Sequence, residues 1–182
     1  MRSDGIVTLA ANGSITEGGT DAAPDIVAAG IALRAGGGIG TPTNAIETQT
    51  TFIEGFSAAG GINIANIGQI QIGGVVAALT GLSDSGGDIK LSAVGSIFLN
   101  DTDGAAMIQG AITSSNVTLT AIGALSDIYA VADAKVVQAP GGTITLNAGR
   151  DILIGPSGTN YDNDLLATGD KITTKAAVGP VT

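Results

Sequence analysis

The chain has 182 residues, enough for one domain with a core of its own, but 3% of them are aromatic and none is Trp. Its interior must therefore be filled by Ile, Leu, Val and Ala rather than by large rings. The formal net charge of −9 excludes the basic stripe that nucleic acid needs and makes anionic membrane surfaces repulsive. With no Cys and no His, there is no thiol nucleophile, no disulfide and neither of the commonest soft metal ligands.

In chain order, the first residues, Met1 to Gly5, lack the apolar stretch of a signal peptide. An alternating segment then starts at Val7, and comparable ones start at Ile31, Ile62, Ile89, Val117, Ile144 and Ile172. Two residues after each start comes Leu or Ile through the sixth segment, and four after comes Ala or, once, Asn66. A Gly follows at offset six (Gly13, Gly37, Gly68, Gly95, Gly123) and an aliphatic at offset eight (Ile15, Ile39, Ile70, Ile97, Leu125, Ile152). Alternation of this kind is the pattern of a strand with one buried face. In the fourth segment Ile89, Leu91 and Ala93 alternate with Lys90 and Ser92; the chain turns at Gly95 and resumes as Ile97 and Leu99.

All length variation falls after offset ten. That stretch is expected to hold a third strand, at 75–79, 105–108 and 129–132, together with the loops 100–104 and 156–164. Short strands at a recurring spacing, with no helical periodicity, describe the turns of a stacked-repeat protein. The expected fold is all-β: a right-handed parallel β-helix (β-solenoid) of about seven coils of roughly 27 residues, with residues 1–182 as a single repeat domain cut from a longer array. At about 4.8 Å per turn the rod would be roughly 30 Å long. Antiparallel hairpins would call for a repeated Asn-Gly or Asp-Gly turn, which is missing.

The runs Gly-Gly-Thr-Ile-Thr-Leu-Asn-Ala-Gly-Arg-Asp-Ile-Leu-Ile (141–154) and Gly-Gly-Asp-Ile-Lys-Leu-Ser-Ala-Val-Gly-Ser-Ile-Phe-Leu (86–99) resemble the repeats of filamentous-haemagglutinin-like proteins. These are very large bacterial exoproteins and adhesins. The stretch Ile39 to Thr48 resembles a recurrent insertion in giant surface proteins of that kind. The resemblance implies a right-handed β-helix, a cell-surface or secreted location, and a structural or adhesive role. Departures are local: Asn66 stands for the usual Ala, Arg150 for Gly, and the pattern fades at Thr174 and Pro180.

The residues offer three kinds of candidate site. Asp101 and Asp103, and Asp162 and Asp164, gather hard oxygen ligands of the type a structural Ca²⁺ takes, though neither loop completes an EF-hand. Turn-forming Asp and Asn account for both loops without an ion. Glycoside hydrolysis needs two carboxylates a few ångströms apart on neighbouring turns. Outward strand positions are mostly Thr, Ser, Asn, Lys and Gln, so no stacked acids are expected, and Asp88 is matched by Asn116 and Thr143. The outward Thr8, Thr118 and Thr145 do not make a continuous array, because Asn63 and Lys90 intervene. The expectation is a chain with no catalytic residues and no cofactor. Its partners would be flanking repeats or copies of itself end to end, and host or matrix glycans or proteins, without membrane insertion.

Overall fold

The computed structural model describes residues 1–19, 21, 23–99, 108–110, 115–130 and 137–154, with the backbones of 165–167 and 172–176. Asp101, Asp103, Asp162 and Asp164 lie outside the described residues, as do 105–107 of the expected third strand.

The described chain is all-β, with eighteen strands. The N-terminal part has β1 (Ile6–Ala11), β2 (Ile26–Val27), β3 (Gly30–Ala35), β4 (Ile46–Gln49) and β5 (Phe52–Ser57). Then come three strands per turn: β6 (Ile62–Ile67), β7 (Ile70–Ile72) and β8 (Leu82–Asp84), followed by β9 (Ile89–Val94), β10 (Ile97–Leu99) and β11 (Ile108–Gln109). The next turn holds β12 (Val117–Ala121), β13 (Ile128–Ala130) and β14 (Val137–Ala139), and the next β15 (Ile144–Ala148), β16 (Ile152–Ile154) and β17 (Leu165–Ala167); β18 (Ile172–Ala176) ends the series. Every pairing between named strands is parallel and joins strands of successive turns. The result is a parallel β-solenoid of about five turns, not the expected seven.

The period-2 pattern produces this stack directly. Ile62, Ile89, Val117 and Ile144 lie one above the next and are fully buried, as is the column Leu91, Leu119, Leu146 beside them. A single turn cannot hide these side chains; its neighbours above and below do so. At roughly 25 cal/mol per Å² of apolar surface, each buried Ile or Leu contributes about 1.5–3 kcal/mol. Between β9 and β10, Gly95 has φ +147°, and a Cβ there would lie 2.6 Å from the backbone nitrogen of Gln69 in the turn before. Both the backbone angle and the close approach exclude a side chain.

Four expectations are corrected. First, Val7 and Ile31 do not head the column of Ile62. They stack on Ile53 in an eleven-stranded sheet, whereas Ile62 continues Ile15 and Ile39 into a seven-stranded one. The register thus shifts by eight residues between the second and third segments, and the turn count falls with it. Second, residues 75–79 are not a strand. Gly73 and Gly74, both at positive φ, end β7 and send the chain outward, and the third strand is β8. Third, the first half of the strand expected at 129–132 belongs elsewhere: Tyr129 and Ala130 are part of β13, the second strand of its turn, and stack on Phe98 and Leu99, while 131 and 132 lie outside the described residues. Fourth, Leu125 is 75% exposed and Ile128 takes the inward place above Ile97, because the corner after β12 is longer than its counterpart.

The two regions meet at β5. Its first half pairs with β7 through Phe52 and Ile53, and its second half with β8 through Gly55 to Ser57. One six-residue strand therefore forks into two three-residue strands. The segment leaving the fork folds back over the outer face, where the Glu54 carboxylate accepts the Val76 N–H at 2.7 Å and is 2% exposed.

Candidate functional site

Where inward positions are polar, they are spent on the backbone. Asn66 stands in the column of Ala93, and its Oδ1 accepts the Thr48 hydroxyl at 2.9 Å and the Thr50 N–H at 3.1 Å. Its Nδ2 donates to the carbonyls of Thr50 and Gly68. The side chain is 2% exposed, and this set of bonds offsets the cost of burying an amide. Asp84 does the same for a corner: it accepts the N–H groups of Gly61 and Gly86 and makes a short bond to that of Gly87. Asp88, matched by Asn116 and Thr143 in sequence, starts a ladder along the rod. Its Oδ1 accepts the Asn116 N–H at 2.8 Å, and Asn116 Oδ1 accepts the Thr143 N–H at 3.0 Å. These hydrogen bonds are joints between turns.

One carboxylate cluster was not anticipated. Asp25 lies opposite Glu47, one residue before the pair Ile26–Thr48, and Glu17 closes over them; one oxygen from each lies within 4.8 Å of the others. The Glu47 N–H donates to Asp25 Oδ2 at 3.1 Å, and the Asp25 N–H to the Glu47 carbonyl at 2.8 Å. Glu17 Oε2 and Glu47 Oε2 are buried without a hydrogen-bond partner. Burial first, then the charges of Glu17 and Asp25, push the Glu47 carboxyl above its ordinary value. The expectation of no stacked acids therefore fails at this one place. Spacings of 8 and 22 residues carry no motif, and only the strand register brings the three together. Chemically, such a group repels itself until it takes up a proton.

The opposite electrostatic case is Asp127. Arg150 donates to it from Nε at 2.9 Å and makes a short ion pair through Nη2, which holds the Asp127 carboxyl below its ordinary value. Arg150, standing where the repeat has Gly, is thus a clasp between two corners. Among the described residues, the ion pairs are those of Arg150 with Asp127 and Asp151.

Two recesses open on the outer face of the eleven-stranded sheet. One, of about 350 Å³, has Asn12, Gly36, Arg34 and Phe56 along it, with the Arg34 guanidinium 4.9 Å from the Phe56 ring centroid. The other, of about 130 Å³, lies between Thr8, Ala10, Ala32 and the back-folded Val76 and Leu79. Neither is lined by the acidic trio. Among the described residues no helix is long and apolar enough to cross a membrane. No family model, curated protein or solved structure matches the chain.

Proposed function

We propose that this chain is a non-enzymatic, load-bearing segment of a large bacterial cell-surface or secreted protein, a stiff spacer that carries adhesive parts away from the cell. One observation carries the reading: the chain's buried volume is spent on inward Ile, Leu and Val columns hydrogen-bonded turn on turn. A parallel stack of this kind resists bending because each turn is held by the ladder on both sides. The buried polar side chains described above are occupied with backbone groups at the corners, which suits a scaffold better than a reaction centre. Neither recess described above is lined by Asp25 or Glu47, where a hydrolytic pair would have to meet a glycan chain, so carbohydrate cleavage is the weaker reading. Partners on this reading are flanking repeats and matrix glycans or proteins.

The test is antibody labelling of intact source cells, with protease shaving as a control. Signal on unpermeabilised cells that protease removes is the expected result. Signal that appears only after permeabilisation overturns the location and, with it, the role. A second reading, a fibre subunit stacking end to end, rests on β1, whose outer edge has no pairing partner among the described strands. Electron microscopy at two concentrations separates the two: filaments one solenoid wide favour the fibre, separate particles the spacer.

A further inference from the structure

We propose that the recess at Arg34 and Phe56, with the outward row that runs on from it, binds a glycan through one uronate followed by neutral sugars. The chain has three Phe and two Tyr, and the core contains none of the four that are described. Phe52, Phe56, Phe98 and Tyr129 alternate with inward residues of β5, β10 and β13, so all four lie on the outer face of the eleven-stranded sheet. Phe56 belongs to a row set by the strand register: Ala10, Arg34, Phe56, Ser83, Gln109 and Gln138. No carboxylate stands in this row, on a chain with sixteen acids.

Arg34 gives the recess its charge. Its guanidinium lies 4.9 Å from the Phe56 ring centroid, and among the described residues no carboxylate or carbonyl takes its N–H groups. The acids on the strands of this row are engaged elsewhere. Glu54 is 2% exposed and accepts the Val76 N–H; Asp84 is 4% exposed and accepts the N–H groups of Gly61 and Gly86. A guanidinium resting on a ring keeps its planar fork of donors oriented and free, and that fork matches a carboxylate. A doubly charged phosphate would meet one cation on a chain of net charge −9, which disfavours it. At about 350 Å³ the recess stands at the small end of ligand pockets, roughly 300–1,000 Å³, and suits a single sugar ring.

Three features select a sugar chain as the occupant. Ala10, Ala58 and the Phe56 ring offer an apolar floor to the C–H face of a pyranose, and Asn12 adds an amide at the rim. Beyond the recess the row presents one hydroxyl and two amides, Ser83, Gln109 and Gln138, one per turn at about 4.8 Å. These groups both donate and accept, as sugar hydroxyls do, and carry no charge. A peptide docks on a sheet most readily as an added strand, but β3, which carries Arg34, is already paired on both sides with β1 and β5. The row has a single cation, near its start, so the ligand has one carboxylate and the sugars after it are neutral. This gives the glycan partner of the surface reading a place and a chemistry, and rests on that reading only for where the ligand is met. Binding by the purified chain and display on cells are measured separately, so either can fail alone.

The test is calorimetric titration of the 182-residue chain with tetrasaccharides ending in glucuronate or galacturonate, with their neutral counterparts, and with the free uronates. Binding is expected in the micromolar to millimolar range. One acidic tetrasaccharide should bind about tenfold more tightly than its neutral counterpart, the usual worth of hydrogen bonds to a charged group. Arg34→Ala should remove that difference, and Arg34→Lys, which keeps the charge but not the planar fork, should restore little of it. Arg34 is exposed, so both variants should keep the circular dichroism and melting of the wild type. Gln109→Ala with Gln138→Ala should weaken the tetrasaccharide and leave the free uronate unchanged. Absence of binding, equal binding of acidic and neutral chains, tighter binding of a sulfate-ended chain, or an unaffected Arg34→Ala overturns the inference. A free uronate that binds as tightly as the tetrasaccharide overturns the part played by the row.

Discussion

The N-terminal part, through β5, and the turns from β6 onward are built from the same Ile-x-Leu-x-Ala alphabet but use it differently. In the first part the motif at Ile31, Leu33 and Ala35 lies in the eleven-stranded sheet, while from Ile62 onward it lies in the seven-stranded one. The first part has two strands per turn and gathers the acidic trio; the later part has three and relies on uninterrupted aliphatic columns. The difference teaches that period-2 alternation fixes which side of a strand faces inward, but not which sheet the strand joins. The fork at β5 makes the change of cross-section feasible. Gly55 faces inward there, and a Cβ on it would sit 3.2 Å from Leu82 Cδ2, so the missing side chain leaves room for the new strand.

The largest effect expected is in the later region. Ile97 is fully buried between Ile70 and Ile128. Ile97→Asp puts an unpaired charge in that column, at a cost comparable with the whole stability of a domain, about 5–15 kcal/mol. Loss of the β circular dichroism signal at 25 °C is the expected outcome, and an unchanged melting curve would break the proposed column.

Asn66→Ala probes the joint between the regions. It restores the repeat's usual residue yet strands the Thr48 hydroxyl and the Thr50 N–H, so it should destabilise by about 1–3 kcal/mol. If melting instead rises, the polar joint is a tolerated flaw rather than a fastening.

The smallest effect is electrostatic and has opposite signs in the two regions. The Glu47 carboxyl sits above its ordinary 4.5, so the folded state holds its proton more tightly than the unfolded chain. The stability linked to Glu47 is complete below that ordinary value and is lost as pH rises through the raised one. Glu47→Gln should therefore raise stability at neutral pH by roughly 0.2–1 kcal/mol, the usual cost of facing like charges, and change little at pH below 4.5. Asp127, held below its ordinary 3.8, contributes stability above that value and loses it as pH falls. Asp127→Asn should thus be felt at neutral pH and disappear in acid. Melting curves of both variants against pH check the pair of signs.

The fold class was legible because inward Ile and Leu recur at fixed offsets and no helical period competes. What escaped was the phase shift of eight residues near the fork, because Ile15 and Ile39 fit offset eight of their own segments as well as offset zero of the next. Leu125 was misplaced for a similar reason: an aliphatic at the right count looks inward until the corner before it proves longer. The acidic trio had no sequence signal at all, since Glu17 and Asp25 lie in a stretch without periodicity. Asp88, by contrast, was read correctly as matching Asn116 and Thr143, and the ladder they form follows from that alignment.

The most direct test of the stack is its register across the long corner. In a chain without Cys, Phe98→Cys with Tyr129→Cys places two thiols on paired strands of adjacent turns, within the span a disulfide bridges. Phe98→Cys with Ser126→Cys samples the constant-offset alternative, in which Leu125 would lie over Ile97. The account predicts rapid, intramolecular oxidation of the 98/129 pair and little of the 98/126 pair. The reverse result would contradict the register and the solenoid built on it.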